Sequence, residues 1–404
     1  MHTLRDFEHR PGKHCSSTAL ADVMRYHGHG LSEAVCFGLG AGLGFVYFEN
    51  PRGSPSLVLG SRTPALEWNF FRNLGLPFDW RAGDDFPWPQ MREYLDRDVP
   101  LLLLTDLYYL PHYGKSVHFP GHSIVLAGYE GDVALVADTA FPDLMPVPLD
   151  DLAAAMDVPL PPIPIHNNWF PVERFALPDL GDAIRRALVA NARAMLQPAA
   201  DSLGLPGMRL AVTRLPRWGQ AEDWQWCARF GYQIIERRGT GGGGFRLMYA
   251  DFLDTASGLL PALVEMDAPA RMRQSAAGWT ALGDNLKAIS ESESPSGFER
   301  AAAMLARIAE QEESFYRDIV QVLGKNPVSH AVERILEDES LTADLVDAAA
   351  RVLLDWGVAR AQKFESADLR RTMKRVNREA GKAAPEAQVE RVRALLAEIE
   401  AEQP

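Results

Sequence analysis

Residues 119–141 read FPGHSIVLAGYEGDVALVADTAF. Two short apolar runs, SIVLAGYE (123–130) and DVALVAD (132–138), meet at the turn residues Glu130, Gly131 and Asp132. They are short, partly β-branched and bounded by Gly, Asp and Pro, so they read as the strands of a β-hairpin. Centred on Glu130, the hairpin sets residue 122 against residue 138, eight positions to each side. His122 and Asp138 then stand directly opposite one another on one face, within cross-strand reach. A slip of one residue would separate them onto opposite faces, so the pair depends on the turn. Each also has an ordinary structural reading: a strand-end histidine bonded to backbone, or an aspartate capping the next turn.

An imidazole beside a carboxylate is half of a nucleophilic site, and PGKHCSSTAL (11–20) offers the other half. Ser16, Ser17 and Thr18 favour helix entry, and TALADVMRYHG (18–28) has helical spacing. Cys15 therefore sits at the positive end of a helix dipole, which favours the thiolate, and first-turn N–H groups there can stabilise an oxyanion. Gly12 is read as supplying an unusual backbone angle. The competing reading is a buried structural cysteine. Taken together, Cys15 as nucleophile, His122 as base and Asp138 as the group fixing the ring's tautomer form a Cys–His–Asp triad. His14 adjoins the cysteine and could tune it. His9, six residues before it, is a place for a side-chain oxyanion donor. Tyr47, His118 and Arg246 are candidates for substrate contact. His112 and His118 flank a Tyr/Gly loop and are either channel residues or surface ones. Cys36, in AVCFGLG, and Cys227, in WQWCARF, have apolar or helical settings that suit core thiols.

The 404 residues are 47% apolar and 24% charged, an ordinary globular balance that fits two or three domains. A formal charge of −13 disfavours a general nucleic-acid binder, which needs clustered Lys and Arg. No apolar stretch approaches a membrane span, and the N-terminus has no signal-peptide core. Three scattered cysteines make no disulfide framework, so a cytoplasmic protein with reduced thiols is expected. Three segments follow. Residues 1–175 carry strand-like runs, including LLLLTDLYYL (101–110), with helices at 16–27, 89–97 and 150–156. Asp150 is read near the N-cap of the last, and VPLPPIPIHNNWFPVE (158–173) as a linker. Residues 176–325 have helical periodicity and a GTGGGG loop. Residues 326–404, rich in Ala, Glu and Arg, add helices, with a late one at 385–402.

GLGAGLGF (38–45) fails as a dinucleotide fingerprint on spacing, and tight packing beside the Cys15 helix accounts for it better. GTGGGGFR (239–246) lacks the Lys-Ser/Thr of a phosphate loop. It reads as a helix–helix connection or as a loop closing over substrate with Arg246 holding an anion. His27 and His29, in RYHGHG, lack acidic or thiol partners, so C-terminal capping is expected rather than a metal.

HCSSTALADVMRYHGHGLSEAVCFGLGAGLGFVYF, with FPGHSIVLAGYEGDVALVADTAF, resembles the N-terminal domain of the butirosin biosynthesis protein H family. WCARFGYQIIERR and GTGGGGFRLMYADFL resemble the helical domain fused behind it, so the likeness spans residues 1 to about 325. The resemblance implies an α+β chain: a papain-like, cysteine-peptidase-like N-terminal domain with an antiparallel sheet, then a mostly helical domain. It carries over Cys15 as nucleophile, His122 as base and Asp138 as orienting carboxylate. It implies a cysteine-dependent acyltransferase of specialised metabolism. The donor would be the phosphopantetheine thioester of an acyl carrier protein (or a CoA-type thioester), the acceptor a small-molecule amine or hydroxyl, with no bound cofactor or metal. Papain-like enzymes usually carry a glutamine before the cysteine for the oxyanion hole, and none precedes Cys15. A cysteine peptidase or amide hydrolase with the same triad, or a non-catalytic binding protein, are the alternatives; a homodimer stays open.

Overall fold

The computed structural model describes residues 2–115, 117–159 and 164–324. The chain up to Ile319 forms one compact unit, and Val320 opens a second. The segment 326–404 and its expected helix at 385–402 lie outside the described residues. The strands are β1 (His2–Thr3), β2 (Leu43–Glu49), β3 (Leu57–Arg62), β4 (Leu101–Asp106), β5 (Pro120–Glu130), β6 (Val133–Ala137), β7 (Met145–Pro148), β8 (Asp157–Val158), β9 (Ile165–His166) and β10 (Trp169–Pro171). The helices are α1 (Cys15–Tyr26), α2 (Glu33–Leu39), α3 (Leu66–Asn73), α4 (Trp88–Leu95), α5 (Leu149–Met156), α6 (Leu180–Leu196), α7 (Gly204–Arg214), α8 (Trp224–Glu236), α9 (Arg246–Ser257), α10 (Ala262–Glu265), α11 (Ala268–Ser290) and α12 (Phe298–Leu323). The chain is α+β, with antiparallel sheets in its N-terminal part and helices after them. Among the described residues no helix is long and apolar enough to cross a membrane.

The main sheet runs β10-β4-β5-β6-β7, every pairing antiparallel, and β1 joins β5 beyond the end of β4. β5 is buried along nearly its whole length, which explains why its sequence is a continuous apolar run rather than an alternating one. On the sheet, Leu101, Leu103, Ile124, Leu126 and Val136 pack with Met91 and Leu95 of α4 and Leu152 and Met156 of α5. α1 lies along β5, and α2 lies against α1.

The proline-rich stretch at 158–173 is not a plain linker. β8 pairs with β9, and β10 is the edge strand beside β4. Pro171 lacks an N–H, which an edge position tolerates, and Trp169 is buried with the Arg81 guanidinium 4.7 Å from its ring centroid. α5 opens at Leu149 with Pro148 at the N-cap. Asp150 therefore sits inside the first turn, where its charge suits the helix dipole.

The glycines of 38–44 are packing glycines. A Cβ on Gly38 would lie 2.1 Å from the Phe252 ring, and one on Gly42 would lie 2.6 Å from that of Phe37. The 239–245 loop joins α8 to α9 with Gly239, Gly241, Gly242, Gly243 and Gly244 all at positive φ, which glycine adopts cheaply, and Phe245 after them at φ 72°. It packs against the residues just before Cys15: a Cβ on Gly239 would stand 2.9 Å from the Lys13 carbonyl oxygen.

Candidate active site

Cys15 is the first residue of α1, with His14 as its N-cap. Glu33 of α2 holds that helix end. Its Oε1 accepts the backbone N–H of Lys13 (2.9 Å) and of His14 (2.7 Å), and the hydroxyls of Ser17 (3.3 Å) and Thr18 (3.2 Å). A carboxylate at a helix N-terminus satisfies orphan donors and suits the dipole. Gly12 is required for space and not for an angle: its φ is not positive, but a Cβ there would fall 2.0 Å from the Thr18 hydroxyl oxygen. The Gly12 N–H donates to the Thr139 carbonyl at 3.0 Å, tying the approach to Cys15 to the residue after Asp138.

The hairpin turns between Gly131 and Asp132 rather than at Glu130, one and a half residues later than its sequence suggests. Glu130 pairs with Val133 around the two-residue turn Gly131–Asp132, with Gly131 at φ 56°. That register alone would place His122 and Asp138 on opposite faces. A β-bulge between Leu126 and Gly128 inserts Ala127 and restores the parity, so that Val125 faces Ala137. Asp138 thus follows across from Ile124, and His122 reaches it diagonally rather than head-on. The His122 Nε2–Asp138 Oδ1 separation is 2.9 Å.

With Nε2 committed to Asp138, the other ring nitrogen is left for Cys15, and the two side chains lie close enough to shift one another's protonation. Burial pushes the Cys15 thiol up, but His122, the charge of Arg62 and the Ser123 N–H together bring it below its ordinary value. Burial pulls His122 down, yet the Asp138 carboxylate and the Cys15 sulfur raise it well above the usual imidazole range. The two shifts favour a thiolate–imidazolium pair. Asp138, fully buried, accepts two further bonds: Tyr113 Oη donates to Oδ1 and His112 Nε2 to Oδ2, each at 2.9 Å. Burial raises this carboxyl, but the charge of His122 and the three donors hold it well below the carboxylate range.

His14 is buried, with its ring edge-on to Phe37 and Phe245 at 5.8 and 5.3 Å. Its Nδ1 accepts the Ser17 N–H at 3.4 Å, so the proton of the neutral ring is on Nε2. Burial and the charges of Arg62 and His122 keep it neutral, far below the usual imidazole value. His118 bonds Asp106 (2.7 Å). The structure does not bring Tyr47 or Arg246 to the triad. Tyr47 is buried on β2, donates to Glu49 at 3.0 Å and stacks on Trp218. Arg246 is buried in an ion pair with Glu312. Tyr113, Glu33 and Arg62 are the site residues sequence reasoning missed, since no local pattern marks them; His112, expected as a channel or surface residue, instead bonds Asp138.

His9 does not face the sulfur; it brackets the site from behind. Its Nδ1 meets Asp22 Oδ2 of α1 at 2.5 Å, and its Nε2 meets the carbonyls of Phe141 (2.7 Å) and Asp138 (3.2 Å). Acceptors on both sides require a doubly protonated ring. Burial opposes that charge, but Asp22 and the two carbonyls prevail and raise His9 above its ordinary value. Around it, Asp22 also takes Arg25 (2.7 Å) and the Arg10 N–H (3.2 Å). A raised folded-state value means this contribution is complete below the ordinary imidazole pKa and fades as pH rises through the folded one. His9→Gln is expected to cost about 1.5–3 kcal/mol near pH 6 and distinctly less near pH 9. Urea melts of both proteins across that range check it; a difference independent of pH would contradict a charged His9.

Residues 14–139 match the family described as Butirosin biosynthesis protein H, N-terminal. Residues 150–319 match Domain of unknown function (DUF4872). A search of curated proteins finds no match to the chain.

Proposed function

Because the chain belongs, by both matched domains, to the butirosin biosynthesis protein H-like family, we propose that it is a cysteine-dependent acyltransferase of antibiotic-type specialised metabolism. In this reading the N-terminal part has a papain-like fold, the acyl donor is the phosphopantetheine thioester of an acyl carrier protein, and the acceptor is a small-molecule amine or hydroxyl. The single observation that carries it is the set Cys15–His122–Asp138, in which a thiol at a helix N-terminus lies beside an imidazole held by a buried carboxylate.

The Cys15 thiolate attacks the thioester carbonyl and a tetrahedral oxyanion forms. The positive end of α1 favours that charge, and His14 Nε2–H is the candidate for the side-chain donor that a glutamine supplies in papain-like enzymes. Collapse expels the carrier thiolate, which takes the proton from His122, and leaves an acyl-Cys15 with a neutral imidazole. Exchange of one thioester for another is nearly balanced, so the gain lies in handing the acyl group to a site with its own base. The acceptor then attacks, His122 takes its proton, and collapse returns the thiolate–imidazolium pair.

Incubation with a carrier-protein acyl thioester, followed by intact-protein mass spectrometry, tests the reading. A mass gain equal to the acyl group, absent in Cys15→Ala and discharged to an amide when an amine is added, is expected. Free acid as the sole product in the presence of amine would instead assign a hydrolase. No adduct with any thioester would remove the enzymatic reading.

A further inference from the structure

A second histidine–carboxylate pair stands at the same end of the sheet as the triad, and its chemistry addresses a proton that the triad leaves unassigned. At neutral pH an aliphatic amine acceptor is an ammonium ion. Turning it into an amide releases two protons. One ends on His122 and restores its pair with Cys15. The other must leave the ammonium before attack, and His122 cannot take both, since its Nε2 is committed to Asp138.

Asp106 ends β4, one residue after Thr105, which faces His122 across the strands and donates its hydroxyl to the His122 carbonyl at 3.0 Å. Asp106 is completely buried, and its Oδ1 accepts the backbone N–H groups of Phe119 (2.7 Å) and Tyr108 (3.1 Å). Its Oδ2 is left for His118 Nδ1, at 2.7 Å. The imidazole lies flat on the Tyr108 ring, 4.0 Å between centroids, while its side chain stays 45% exposed. Nδ1–H is therefore fixed toward the carboxylate, and Nε2 is the basic nitrogen; among the described residues it has no hydrogen-bond partner. A buried anion costs several kcal/mol unless paired, and this one is spent on orienting a ring that faces outward. The Tyr109 ring, 6.0 Å from that of His118, offers an aromatic face of the kind that attracts cations.

The geometry points to the His118–Asp106 dyad as the binding site and general base for a protonated primary amine acceptor. This rests on the acyltransferase reading above. His118 Nε2 removes one proton from the ammonium and passes it to solvent, and the free amine attacks acyl-Cys15. The nitrogen's second proton goes to His122 as the C–S bond breaks. Asp106 only positions the ring.

The test separates the two half-reactions in the full-length protein. Acyl-Cys15 is formed from the thioester, and its discharge is followed at pH 7 with an alkylamine and with hydroxylamine, an amine already neutral there. In His118→Gln, acylation and hydrolysis are expected to stay within about twofold of wild type while discharge to the alkylamine falls about 100-fold, the scale of a lost general base. Discharge to hydroxylamine should be unaffected, and raising the pH should recover the alkylamine rate. Unchanged discharge to the alkylamine, or an equal loss with both amines, would overturn the inference while leaving acyl-Cys15 in place. Failure of the wild-type protein to acylate at Cys15 would instead strike the reading it rests on.

Discussion

Cys15→Ala is expected to abolish covalent capture of an acyl group from a thioester, and His122→Ala to slow it about 10,000-fold, the scale on which removal of a triad member acts. The reason is electrostatic as well as chemical. Cys15 is buried, and burial alone would keep it a thiol; His122 is first among the groups that overturn that penalty, with Arg62 and the Ser123 N–H adding to it. Without the ring, the buried sulfur loses its counter-charge and its proton acceptor together. Asp138→Asn is expected to be milder, about 100- to 1,000-fold, because a thiol needs less help from its base than a hydroxyl does. An asparagine would still disturb the site, since His122, Tyr113 and His112 all donate to that position and an amide N–H₂ would confront one of them. The pH dependence follows from the same shifts. With Cys15 held low and His122 held high, alkylation of Cys15 by an uncharged reagent is expected to be nearly flat through neutral pH. In Asp138→Asn it should rise with pH toward free-thiol behaviour. Stopped-time labelling read by mass spectrometry measures both; equal profiles in the two proteins would contradict the ion pair.

What sequence made legible here was local, and what it hid was long-range. The apolar runs around Gly131 and the Ser-Ser-Thr entry to α1 are written in adjacent residues, so the hairpin and the Cys15 helix could be read directly. The register could not. The turn moves the partner of residue 122 from 138 to 141 and the bulge brings it back by one, so parity is kept and His122 and Asp138 do meet, though diagonally. A bulge at Ala127 has no composition signal, because its neighbours are buried like the rest of β5. Glu33 and Tyr113 were invisible for another reason: each acts on a group far along the chain, and nothing in its own neighbourhood announces that. The proline-rich 158–173 stretch was misjudged because proline excludes a central strand but not an edge. His9 shows the opposite error, a residue rightly suspected near the site but assigned to the wrong side of it.

Arg246 makes the largest claim on stability. It had looked like an anion-holding residue beside a glycine loop, yet both its guanidinium and Glu312 are almost wholly enclosed. Nε and one terminal nitrogen bond the two Glu312 oxygens, each at 2.8 Å, and the other terminal nitrogen takes the carbonyls of Gly244 (2.8 Å) and Ser61 (2.9 Å). Ser275 and Trp279 also donate to Glu312, at 2.6 and 2.8 Å. Arg246→Ala leaves that carboxylate buried without its counter-ion, which costs about 3–5 kcal/mol. At about 2–4 °C per kcal/mol for a unit of this size, thermal unfolding is expected to fall by roughly 10 °C. Replacing both charges, as in Arg246→Met with Glu312→Leu, should recover much of the loss, because apolar groups of similar volume carry no desolvation penalty. The double variant still lacks the bonds from Arg246 to Gly244 and Ser61, which pin the glycine loop to the end of β3. That loop packs against Lys13, two residues before the nucleophile. The double variant is therefore expected to fold but to acylate Cys15 more slowly, whereas a purely structural pair would give full activity once stability returned. Calorimetry of the three proteins, with thioester capture on the same samples, distinguishes the two, and a single substitution costing less than about 0.5 kcal/mol would show that the pair is not charged in the folded protein.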